Sequence, residues 1–124
     1  MPRFRSARVS AIVEEREGLQ RVETSEGRSY VLTHLTGPVA VGDDVVLNTT
    51  GVDLGLGTGG WHVVHWNLAR SSWDEAGPGH LMKLRYTSLQ ADTGGAEEAG
   101  EVPADLGGAP VVACGVHSQL AGGA

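Results

Sequence analysis

A single cysteine, Cys114, rules out an intramolecular disulfide and suits a reducing compartment. Basic residues are also few, with nine Lys and Arg against fifteen Asp and Glu, a net charge of −6. Nucleic-acid binders draw most of their affinity from neutralising phosphates, so this balance disfavours nucleic acid as a partner. The only basic cluster, Arg3, Arg5 and Arg8, sits at the N-terminus and reads as a solvated tail. No apolar run approaches the roughly 20 residues that span a bilayer, and no signal peptide opens the chain. The expected setting is therefore cytoplasmic, without a membrane.

What the chain has is glycine, 19 residues of it in 124, gathered at 55–60, 94–95, 107–108 and 122–123. Such clusters mark loops between elements. The elements themselves read as strands. Val9, Ala11 and Val13 recur at period two, and the polar turn Glu15–Gly18 follows them. Leu19–Thr24, Ser29–Thr33 and Val45–Thr49 are extended and β-prone, with turns at Ser25–Arg28 and Gly37–Asp44. In the phrase Val41-Gly42-Asp43-Asp44-Val45, glycine admits a positive φ and an aspartate bonds back onto its own turn. Short strands at this spacing predict a mainly β fold, a small antiparallel SH3-like or OB-like barrel with Gly-rich loops.

Trp61–Trp66 is a further strand. Leu81–Leu89 alternates so that Met82, Leu84 and Tyr86 would face inward. Residues 91–109 are rich in Gly, Ala, Glu and Asp, the composition of an acidic linker, and Pro110–Val116 reads as one more apolar strand. The expected organisation is a barrel-like domain over 1–90, a linker or loop over 91–109, and a strand over 110–124 that begins a second region.

Three groups of residues invite a chemical reading. Gly55-Leu-Gly57-Thr58-Gly59-Gly60 spells G-x-G-x-x-G, but a dinucleotide site needs a helix after it, and Trp61–Trp66 reads as a strand. What survives is a backbone cradle for an anionic group, for which Gly55, Gly57, Thr58, Gly59 and Gly60 are candidates, set against a plain wide turn. Lys83 and Arg85 share one strand face and are the candidate cations, set against a solvated face. His62, His65, His80, Cys114 and His117 are ligand types for a metal, yet three-apart pairs on strands face opposite ways, so packing is the competing account. No metal or cofactor is expected. Trp61 and Trp66, an odd number apart, would put one ring inside and one at an interface.

Three stretches in order are familiar: Asn48–Gly60, Gly79–Gln90 and Val111–Leu120. Together they resemble the N-terminal part of an uncharacterised bacterial domain-of-unknown-function family, typical of actinobacteria. The resemblance implies a longer protein that continues into an α/β region, and it transfers no activity and no catalytic residue. The resulting expectation is a non-catalytic β module that packs within its own protein or on a partner, including a second copy. Its rival is a ligand-binding fragment that uses the 51–60 glycine loop for an anionic small molecule.

Overall fold

The computed structural model describes residues 1–113 and 115. Five strands close into a barrel: β1 (Phe4–Arg16), β2 (Leu19–Thr24), β3 (Gly27–Leu32), β4 (Asp44–Asn48) and β5 (His62–Asn67), ordered β1-β2-β3-β5-β4 and back to β1. The sequence predicts an all-antiparallel barrel, whereas the structure is mixed. Ser29 and Tyr30 of β3 pair in parallel with His62 and Val63 of β5, and every other contact in the barrel is antiparallel. A parallel closure needs a crossover. It is supplied by the stretch from Thr33 to Asp44, with a single helical turn α1 (Thr33–Thr36), and by β4 with the loop behind it.

Strand β1 serves both halves of the barrel. Phe4–Arg8 pairs with β4, and Val9–Arg16 pairs with β2. Its register slips between Val9 and Ala11 and again between Ile12 and Glu14. Each bulge inserts an unopposed residue and rotates the strand, which is how one long strand turns a barrel corner. The expected face of Val9, Ala11 and Val13 is broken by the same bulges, so Val9 is buried and Val13 is exposed.

The other strands keep period two. Gln20, Val22 and Thr24 point inward from β2, Ser29 and Val31 from β3, and Val45 and Leu47 from β4. With Ala7, Val9, Val39 and Val64, the valines and Leu47 form the apolar core. The Gly42–Asp43 turn is built as the sequence suggests. Gly42 has φ +94°, and Asp43 Oδ2 accepts from its own turn at Ala40 N (2.9 Å) and from Asn67 Nδ2 (2.8 Å).

The N-terminal arginines are not a loose tail. Arg8 is bidentate to Asp44, with both contacts at 2.9 Å, and this hydrogen bonding holds the Asp44 carboxyl below its ordinary range. Arg5 reaches Glu26 and Asp53, and the backbone of Arg3 bonds to Thr49 and Thr50.

Past Asn67 two expectations fail. Leu81–Leu89 contributes only β6 (Met82–Lys83), which pairs with β7 (Ala91–Asp92). Leu84 and Tyr86 take positive φ, +47° and +63°, in a chain that turns where a strand was expected, and Tyr86 is 88 % exposed. Residues 110–113 form no strand, and Val111 and Val112 are 70 % and 69 % exposed. Cys114 and Val116 of that expected strand lie outside the described residues, as does His117. The stretch 91–109 carries β7 and one helical turn, α3 (Ala96–Ala99). Glu98 binds the turn to the chain before β6, accepting from His80 N (2.9 Å) and Gly95 N (3.1 Å), and these backbone donors keep its carboxyl below the usual range. Among the described residues no helix is long and apolar enough to cross a membrane.

Candidate functional site

The glycine loop lies between β4 and β5, entered through the short turn α2 (Thr50–Asp53). α2 is held by Thr49 Oγ1, which donates to Asp53 Oδ2 (2.8 Å), and by Arg5, whose Nη2 lies 3.4 Å from the same oxygen. Gly55, Gly57, Gly59 and Gly60 all have φ between +65° and +79°, so the loop traces a path that side chains resist. Thr58 anchors it, its methyl lying where a Cβ on Gly51 would fall (2.4 Å). Leu56 N and Trp61 N bond back within the loop, to Gly51 O and Thr58 O. The amides of Gly57, Thr58, Gly59 and Gly60 donate to nothing among the described residues. Among the described residues nothing stands within 4 Å of a Cβ built on Gly57, so the space beside it is open.

Alternation on β2 and β3 turns Arg21, Arg28 and Tyr30 outward, toward this loop. Arg21 and Tyr30 are register partners, and Tyr30 stacks on Trp61 at 4.8 Å between centroids and 23° between planes. The Arg28 guanidinium lies 4.8 Å from the Trp61 ring and donates from Nη2 to Gly59 O at 3.2 Å. Arg21 lies 5.5 Å from the same ring, with its charge taken up by Glu14 at 2.8 Å. Among the described residues Arg28 has no carboxylate partner. The result is one uncompensated cation fixed beside four free amides, and such a set can hold a phosphate or carboxylate.

Of the candidates read from the sequence, the structure gathers the loop residues Gly55, Gly57, Thr58, Gly59 and Gly60 and leaves the expected cations elsewhere. Lys83 is in β6 and Arg85 in the turn after it, and no hydrogen bond, ion pair or ring contact joins either to the loop. Arg28 takes that position. The sequence did carry part of the signal, since Arg28 and Tyr30 alternate with the inward Ser29 and Val31. The missing part is spatial: only the parallel pairing of β3 with β5 brings Trp61 and the loop to Arg28.

The metal candidates are dispersed. His62 is buried, and its Nε2–H donates to Glu26 O at 3.2 Å. His65 contacts the Phe4 ring and Ser88 Oγ (3.3 Å), while His80 pairs with Glu98 (3.3 Å). Among the described residues no three His, Cys, Asp or Glu side chains gather to hold a metal. Neither tryptophan divides as expected. Trp61 and Trp66 are both half-buried, because Trp61 precedes β5 and so escapes the strand's alternation.

Barrel, crossover and outward loop define a small SH3-like or OB-like β-barrel domain. Within that class the chain belongs to the family described as protein of unknown function, DUF3866, whose pattern matches residues 28–123. Neither a curated protein nor a solved structure matches it.

Proposed function

We propose that this domain is a non-catalytic binding module that holds an anionic group of a small molecule against the 55–60 loop. The observation that carries the reading is the pairing of four loop amides with Arg28, a cation that hydrogen-bonds the same loop; among the described residues the amides donate to nothing and Arg28 has no acidic partner. Strands 2 and 3 with the loop between strands 4 and 5 are the face small OB-like barrels commonly use for ligands. The Trp61 ring is already engaged by Tyr30 and by the guanidinium groups of Arg21 and Arg28, so the module recognises charge more than a stacked base.

Calorimetric titration with inorganic pyrophosphate tests this. Wild type should bind saturably, and Arg28→Ala should weaken binding about tenfold, the value of one charged hydrogen bond. Gly57→Val should weaken it further, because valine resists φ +76° and fills the open side of the loop. Binding that survives both substitutions in folded protein would remove the loop from the account.

A second reading, packing on another copy of the chain, is favoured by the exposure of Val111 and Val112 and of Leu81, Leu84 and Leu106. Large apolar groups left in water are the raw material of association surfaces. Light scattering should then show an oligomer that the double variant Val111→Glu, Val112→Glu converts to a monomer. A monomeric wild type at ~100 μM, a hundred times a 1 μM Kd, would contradict self-association.

A further inference from the structure

A second concavity, sharing no residue with the loop site, opens between β5, α1 and the segments 73–78 and 87–92. It encloses about 790 Å3, within the usual range for small-molecule sites. Its wall combines two indole rings, Trp66 and Trp73, with three carboxylates, Asp74, Glu75 and Asp92. Among the described residues no arginine or lysine forms an ion pair with any of the three, and Glu75 meets only His34, at 3.3 Å. Among the described residues the Asp92 carboxylate accepts no hydrogen bond, and its Oδ1 is shut from solvent without a partner. The backbone presses on it closely: a Cβ on Gly77 would fall 2.1 Å from Asp92 Cβ. A carboxylate held this way lacks a donor and a counter-charge, and both are normally supplied. Trp73 already carries one cation, the Arg70 guanidinium at 4.8 Å, so its ring is placed for cation–π contact.

We propose that this cleft binds a small organic cation bearing N–H donors, an alkylammonium or alkylguanidinium. Its charge is balanced by Asp74, Glu75 and Asp92, its donors are accepted by Asp92 after a small turn of the carboxylate, and its alkyl portion lies against Trp66 and Trp73. A metal is the wrong occupant, since no three ligands converge among the described residues. An anion is excluded from the same wall by its charge.

Agmatine, which carries both cationic heads, is the probe. Tryptophan emission should change saturably with agmatine, and the change should weaken with salt. Asp92→Asn should raise the Kd about tenfold. Tetramethylammonium, a cation without N–H groups, should bind more weakly than agmatine, and 1-butanol should not bind. Asp74→Asn, at an exposed position that cannot upset the fold, should weaken agmatine severalfold and decides the matter where Asp92→Asn fails to fold. No saturable change up to ~10 mM agmatine, equal binding of tetramethylammonium, or agmatine binding unaltered in the folded Asp variants would overturn the assignment.

Discussion

Replacing Gln20 with leucine is expected to destabilise the domain by about 3 kcal/mol, although the two side chains are of similar size. Gln20 lies inside the barrel, 2 % exposed, where a core apolar residue would be unremarkable. It acts there as a substitute strand. Its Oε1 accepts from Val39 N (2.8 Å) and its Nε2 donates to Val39 O (3.2 Å), so both backbone groups of a buried residue in the α1–β4 connection are satisfied by one amide. Nε2 also reaches Glu15 Oε2. Leucine would leave the Val39 N–H and C=O without partners, and each such group costs roughly 1–3 kcal/mol when buried. Gln20→Glu separates this from packing. It keeps an acceptor for Val39 N but turns an acceptor on Val39 O, so it too should destabilise. Chemical denaturation of the three proteins measures the effect; a leucine variant as stable as wild type would show that Val39 finds other partners.

Leu47→Ala should cost a comparable amount, about 3 kcal/mol, by a different route. Leu47 is fully buried on β4, and it is the largest of the fully buried side chains among the described residues. Its neighbours in the core are valines and one alanine, short and branched, placed by strands that are bonded on both sides. Such a wall cannot collapse into the space left by three carbons, so the cavity remains and adds to the lost transfer energy. For a domain of this size the melting temperature should fall by about 15 °C. Leu47→Val, which removes one carbon, should fall much less. An equal drop for both would point to β4 backbone disruption and away from a cavity.

These two positions also show what the sequence discloses and what it hides. Leu47 was legible as core because Val45–Thr49 is an apolar, β-branched stretch that follows a clear turn signal. Gln20 was not, since period two places it on the inner face while its chemistry argues for the outer one, and its partner lies nineteen residues away in an irregular segment. The same division runs through the fold. β2, β3 and β4 and the Gly42–Asp43 turn follow from local pattern. The bulges in β1 do not, because an unopposed residue has no signature of its own there, and the parallel contact of β3 with β5 is a property of the closed barrel alone. Leu81–Leu89 alternates like a strand, yet among the described residues only two residues of β7 bond it. Left without a ladder, it turns at Leu84 and Tyr86.

The candidate site divides likewise. The loop glycines were visible from their letters, and the strand expected after them is present as β5. Their cation was sought at Lys83 and Arg85, on an alternation that the backbone does not adopt. Arg28 is close to the loop only through the pairing of Ser29 with His62 and Tyr30 with Val63, two contacts between segments more than thirty residues apart.

The most direct measurement is a titration of nitrogen-15-labelled protein with pyrophosphate, followed through its backbone amide resonances. If the loop binds anions, the amides of Gly57, Thr58, Gly59 and Gly60 shift together, along one saturating curve, with the Arg28 side chain and the Trp61 indole responding at the same concentrations. If those amides stay still while pyrophosphate is added, or move only as much as the rest of the surface does, the loop is a turn between two strands and the binding account is wrong.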